Sequence, residues 1–280
     1  MTVGRGKWSD RVRANMTGHV GRVALRVTDL DRMVGFYEDV IGLDTLRRED
    51  GRVVLGVDDP LLVLLAAPDL PARGPDETGL FHTAFRVPSR AALGDALDRI
   101  EAQWRLDGAS DHHVSEALYL SDPEDNGIEV YCDRPRADWP VDDAGRVGMD
   151  TLPLALDPLR DAATGGTRLP SGTDVGHVHL EVSDLDAARS FYADDLGLRV
   201  RQSMPSACFL AFGDYHHHVG CNVWNGRSTP AEGRGLAWVE LVVEDLDATR
   251  ARLGPGAVME RAGGVEVHDP DGLQIRLRVD

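Results

Sequence analysis

The sequence predicts an α+β protein assembled from four βαβββ modules. Three observations lead there. A long motif recurs far along the chain, each copy is followed by the same alternation of strand and helix patterning, and two copies share an Asp-Pro ending. Val27 to Leu43 reads VTDLDRMVGFYEDVIGL and Val182 to Leu198 reads VSDLDAARSFYADDLGL. Asp29, Leu30, Asp31, Phe36, Tyr37, Asp39, Gly42 and Leu43 each recur 155 positions on, from Asp184 to Leu198.

Taken in order, each copy opens on a β-rich run, Val20 to Val27 and Val178 to Val182. An Asp or Ser then stands where a helix N-cap belongs, because its short side chain accepts from the free amides of the first turn. Apolar residues at helical spacing follow (Leu30, Val34, Tyr37; Leu185, Ala188, Tyr192). Gly42 and Gly197 supply the stop. Strands come next, such as Arg52 to Val57 and Leu61 to Ala66. Weaker copies begin near His82, with a helix over Arg90 to Trp104, and near Trp238. In these two, Asp122-Pro123 precedes Glu129 and Asp269-Pro270 precedes Arg276 at the same distance.

The modules are therefore 18–67, 80–136, 174–226 and 234–280. They form a first half, 18–136, and a second half, 174–280. Residues 1–17 form an N-terminal tail, and 137–173, rich in Asp, Gly and Pro, reads as a surface linker with one helical turn. A lone module leaves one sheet face bare, so modules should pair to bury it.

Composition excludes several classes of function. The net charge of −17 disfavours nucleic acid and anionic membrane surfaces. No apolar run is long enough to span a bilayer, and Met1 to Arg13 has no apolar signal core, so a cytoplasmic protein is expected. Cys132, Cys208 and Cys221 are odd in number and lie in apolar strand contexts, which predicts buried free thiols. Lys7 is the single lysine; a high-salt cytoplasm or GC-rich codon usage would each produce that bias.

The repeats allow equivalent positions to be compared within one chain. The first-strand position seven residues before each post-strand polar residue holds Arg22, His82, His177 and Trp238 in the four modules. On the last strand, Glu129 of the second module matches Arg276 of the fourth. Histidine thus falls in the two middle modules only. Two imidazoles and a carboxylate suit a first-row divalent ion with open coordination sites, the pattern of non-haem Fe(II) oxygenases. A closed structural zinc site would call for four ligands. Around Glu129, Tyr119 on the preceding strand could offer its phenol to a metal-bound oxygen, and one of His112 and His113 can face the site. In His216-His217-His218, ahead of the apolar strand Val219 to Trp224, His216 and His218 would share a face. An imidazole there could move a proton at neutral pH.

These residues resemble the vicinal oxygen chelate superfamily, and within it the two-domain type I extradiol dioxygenases of the catechol 2,3- kind. The fingerprint here is His112, five residues, Leu118-Tyr119, Asp122-Pro123 and Glu129. Ser110 and Asp125 depart from it, the latter standing where Gly or Pro is usual. The resemblance implies that His82, His177 and Glu129 bind Fe(II), with Mn(II) accepted by the same donors. It also implies that Tyr119 and His112 contact substrate oxygens or dioxygen, and that His218 (or His217) is the acid–base histidine. The substrates implied are a small aromatic diol and dioxygen, in aromatic hydrocarbon catabolism, with a homo-oligomer as the default assembly. Better-known members draw all three ligands from the C-terminal half. Here modules 2 and 3 must share the cleft, leaving modules 1 and 4 to pair around a metal-free one plugged by Arg22, Trp238 and Arg276. The alternatives are a glyoxalase-like isomerase or thiol transferase on the same scaffold, and a metal-free protein that binds an aromatic compound.

Overall fold

A computed structural model describes residues 17–254 and 256–280, so the expected N-terminal tail lies almost wholly outside the described residues. The first stretch runs β1 (Gly18–Val27), α1 (Leu30–Phe36, continuing as a π-helical turn over Tyr37–Ile41), β2 (Asp44–Glu49), β3 (Arg52–Gly56) and β4 (Pro60–Ala66). The second runs β5 (Gly79–Arg86), α2 (Arg90–Gln103), β6 (Gly108–Asp111), β7 (Ser115–Ser121) and β8 (Gly127–Asp133). After β9 (Leu152–Pro153) and α3 (Asp157–Arg160) comes β10 (Asp174–Glu181). It is followed by α4 (Leu185–Ser190, with a π-helical turn over Phe191–Asp195), β11 (Arg199–Met204), β12 (Ala207–Ala211) and β13 (Val219–Asn222). The last stretch is β14 (Gly235–Val243), α5 (Leu246–Leu253), β15 (Met259–Arg261), β16 (Gly264–His268) and β17 (Gln274–Arg278).

The helix boundaries follow from capping. Asp29, Ser89, Asp184 and Asp245 each accept from a backbone amide of the turn they precede. Gly42 and Gly197 follow the π-helical turns at φ 91° and 89°, left-handed conformations that a side chain would strain.

The strands assemble into two sheets. One has the order β15-β16-β17-β14-β1-β4-β3-β2, and the other β11-β12-β13-β10-β5-β8-β7-β6-β9. Pairing thus crosses the sequence: the first stretch joins the last through β1 and β14, and the second joins the third through β5 and β10, both antiparallel. One continuous apolar core spans both sheets and the helices, including Leu25, Met33, Phe85, Leu93, Tyr192 and Leu241.

The repeated Phe-Tyr and Asp-Pro motifs meet in space. The hydroxyl of Tyr37, just after α1, donates to Asp122 Oδ2 in the β7–β8 turn at 3.0 Å. The Tyr192 hydroxyl donates to Asp269 Oδ2 in the β16–β17 turn at 3.1 Å. Each bond ties one sheet to the other, and all four residues are buried. A buried acceptor stripped of a donor costs about 1–3 kcal/mol. Tyr192→Phe should therefore lower unfolding stability by about that much in urea titration, with metal binding unchanged.

The stretch 137–173 runs largely exposed and carries one helical turn, α3, but it is anchored on the core at a few positions. Leu159 and Leu169 are buried, and Gly94 of α2 lies so near the backbone of α3 that a Cβ there would sit 2.6 Å from the Leu159 carbonyl. Apolar residues spaced through this segment close it onto the core, which its Asp, Gly and Pro content concealed.

Candidate metal centre

Sheet register brings the chemistry together. Glu129 on β8 pairs with Ala84 on β5, and Ala84 pairs with His177 on β10; Tyr119 on β7 pairs with Glu129 from the other side. A transverse row, Tyr119–Glu129–Ala84–His177, thus crosses four strands. His82 lies two residues from Ala84 and so on the same face. Ala84 is small and fully buried, which leaves space above it for the flanking side chains to converge.

They do converge. His82 Nε2 is 3.3 Å from His177 Nε2, and each is 3.1 Å from Glu129 Oε2. Three donors on one octahedral face, each about 2.1 Å from an ion, lie about 3.0 Å apart, against about 3.4 Å for a tetrahedron. The two 3.1 Å spacings fall nearer the first and the 3.3 Å spacing nearer the second, so the donors are compatible with either arrangement. Burial draws the pKa of His177 down to about 4 against the pull of Glu129, so its imidazole is neutral near pH 7 and presents a lone pair. Glu129 is buried too, which alone would raise its pKa; the two histidines hold it well below the usual carboxylate range. Two imidazole nitrogens and a buried carboxylate aimed at one point are a donor set that fits a divalent cation. Among the described residues, these three form the one cluster of potential metal ligands.

The triad opens on a cavity of about 570 Å³, within the range of small-molecule sites. Tyr119 lines it, and His112 Nε2 lies 2.6 Å from the Tyr119 hydroxyl. His112 Nδ1 faces the Asp150 carbonyl at 2.5 Å, and a carbonyl only accepts, so Nδ1 carries the proton and Nε2 receives the phenol O–H. Burial, followed by the charge of Glu129, raises the Tyr119 pKa well above 10, so it stays a phenol. His113 is exposed at φ 66° and turns away. Asp125, in the turn before β8, also has a left-handed φ of 67°, the conformation that makes glycine usual there.

Of the three consecutive histidines, His217 lines the cavity, its ring centroid 4.1 Å from that of His177. His218 lies outside the cavity lining and its Nδ1 accepts from the Phe212 amide at 3.2 Å. His216 is fully buried behind His217. The expectation that His216 and His218 share a face assumed a strand. The run instead forms a bend before β13, so period-two alternation does not apply. The remaining wall carries Phe81, His179, Phe209 and Trp224, with Met149 and Thr151 supplied by the 137–173 segment. Sequence reading singled out none of these six. His179 and Glu181 could have been found, since they continue the face of His177 at period two.

The equivalent place in the other sheet is filled. Glu240 occupies the position of Ala84, paired with Arg276 as Ala84 is with Glu129. Arg22 donates to both Glu240 oxygens and Arg278 Nε to Oε1 at 3.1 Å. Arg276 stacks 4.1 Å from the Trp238 ring. Side chains of opposite charge thus occupy the space that the first cleft leaves open. The three cysteines are free and buried.

The family model described as the Glyoxalase/Bleomycin resistance protein/Dioxygenase superfamily matches residues 19–130 and 174–277. The chain is 39% identical to a catechol-2,3-dioxygenase of Bacillus subtilis (strain 168) over 269 residues, covering 90% of this chain and 94% of that one. It is 31% identical over 127 residues to biphenyl-2,3-diol 1,2-dioxygenase 3 of Rhodococcus globerulus, covering 42% of this chain and 65% of that protein. Among solved structures, glyoxalase I from Zea mays superposes with a TM-score of 0.62 at 16% identity, covering 96% of this chain and 94% of the other. This is a likeness of fold.

Proposed function

The chain belongs to the glyoxalase/bleomycin resistance protein/dioxygenase superfamily, and from that premise we propose that it is an Fe(II)-dependent extradiol dioxygenase that opens a catechol-type ring beside one hydroxyl. The observation that carries this reading is the three-donor cluster of His82, His177 and Glu129 facing a cavity that also holds a phenol and a second imidazole. The similarity to a catechol-2,3-dioxygenase over nine-tenths of the chain supports it.

His82, His177 and Glu129 would hold the ion; Mn(II) suits the same donors. A bound ferrous ion supplies the redox coupling between dioxygen and a closed-shell ring that no side chain provides. The protein's own residues do the rest. Phe81, Phe209 and Trp224 give the aromatic ring an apolar wall and exclude water. Strand order sets Tyr119 on the Glu129 side of the cluster and His217 on the His177 side, so a diol between them meets one on each flank. His217 accepts a proton from one substrate hydroxyl and returns it later. Tyr119 gives its one phenol proton to His112, so its oxygen is turned to accept from a substrate hydroxyl on the opposite flank.

A glyoxalase-like isomerase or thiol transferase would take a fourth protein ligand, and the cluster among the described residues numbers three. A metal-free aromatic-binding protein would bind no stoichiometric iron. Anaerobic loading with Fe(II), followed by catechol and oxygen, separates the three. The expected result is a yellow ring-fission product with one dioxygen consumed per catechol. Stoichiometric iron without oxygen uptake would remove the extradiol reading.

A further inference from the structure

A hydrogen-bonded chain runs from the cavity toward the protein surface behind His217. His217 Nδ1 is 2.7 Å from His216 Nδ1, and His216 Nε2 is 2.9 Å from Asp133 Oδ1. Asp133 is anchored in turn. The Tyr215 hydroxyl lies 2.9 and 3.1 Å from its two oxygens, and Arg86 Nη1 donates to Oδ2 at 3.3 Å. His216 is completely buried, while the Asp133 side chain is 22% exposed, so the chain ends at a carboxylate in reach of solvent.

We propose that Asp133 and His216 are positioning residues that fix the tautomer of His217, leaving its Nε2 as a bare acceptor for a substrate proton. An ionised carboxylate only accepts, so His216 Nε2 carries the proton in its contact with Asp133. In a neutral imidazole the other nitrogen then bears a lone pair, so His216 Nδ1 accepts. At 2.7 Å its partner, His217 Nδ1, must donate. The proton of a neutral His217 is thereby committed to Nδ1, and Nε2 is left unprotonated on a residue that lines the cavity. When a substrate O–H bond breaks, the proton moves to His217 Nε2 and no electron changes place. The positive charge that appears on the ring is answered by Asp133 through His216. The same device, a carboxylate fixing the tautomer of a catalytic histidine, is known elsewhere to matter greatly for rate. The added link here is a second histidine.

The consequence for turnover rests on the extradiol reading; the tautomer does not. The test is nitrogen-15 NMR of the His217 ring in the metal-free protein near neutral pH, assigned by comparison with His217→Asn. The expected spectrum has a protonated Nδ1 and a bare Nε2. A protonated Nε2 in the wild-type protein would overturn the proposal by itself, whatever the variants do. In His216→Leu, which offers neither donor nor acceptor, the two tautomers should mix. With iron loaded, kcat should fall on the order of 100-fold while KM and iron content hold. His216→Gln keeps an amide oxygen for His217 and an N–H for Asp133, so it should restore the single tautomer and most of kcat. Loss of kcat in both variants with the wild-type tautomer retained would reduce the chain to a packing role and contradict the proposal. If the tautomer is as expected but no catechol is cleaved, the extradiol reading falls and the assignment of this chain stands.

Discussion

Glu129→Gln is expected to abolish both metal retention and activity. The substitution keeps the shape of a side chain that is 3% exposed, so the fold survives, but it removes the only negative charge among the three donors. Two imidazoles and a neutral amide bind a divalent ion far more weakly. Loss of an outer-shell partner alone costs about 10–100-fold in metal affinity, so losing the carboxylate ligand should cost more than about 100-fold. The effect is readable without turnover. Ligand binding raises stability by RT ln(1 + [L]/Kd), about 2.7 kcal/mol at a hundredfold excess over Kd. Fe(II) added anaerobically should therefore raise the Tm of the wild-type protein and leave that of Glu129→Gln unmoved. An equal rise in both proteins would place the ion elsewhere.

The second large effect separates two neighbouring histidines. His217→Asn should lower kcat by about 10²- to 10⁴-fold, the usual share of a general acid–base group, with iron content unchanged. His218→Asn should do the reverse. Its ring is buried away from the cavity, and Nδ1 accepts from the Phe212 amide, so the cost is stability, about 1–3 kcal/mol, with kcat near the wild-type value below the unfolding transition. Steady-state kinetics and urea titration on the pair decide between the two residues. A collapse of kcat in the His218 variant alone would return the acid–base role to that position.

This pair also marks where sequence reading ran out. His82, His177 and Glu129 could be singled out because the repeats supply their own controls: matching places in the outer modules hold Trp238, Arg22 and Arg276, so ligand-type residues stand out against equivalents that cannot bind a metal. Tyr119 followed from its turn and strand spacing to Glu129, and register places the two directly opposite. The triple histidine was different. Alternation tells which side chains share a face only while the backbone is extended, and these residues lie in a bend. Asp133 carries a usable signal, since it lies four residues beyond Glu129 on β8 and so on the same face by period two. Asp150, which orients His112, comes from a segment whose composition reads as loop and whose position depends on long-range packing of Leu159 and Leu169. The crossed pairing of the sheets was legible only through the chemistry of the ligands.

One ion is expected among His82, His177 and Glu129, three side chains distant in sequence, with its remaining sites open to the cavity. Anomalous diffraction from crystals of the iron-loaded protein, measured at the iron edge, tests it directly. A single strong peak per chain is expected, bonded to His82 Nε2, His177 Nε2 and Glu129 Oε2, with no fourth protein ligand. A peak coordinated by any other set of side chains, or none in crystals shown to contain iron, would contradict it.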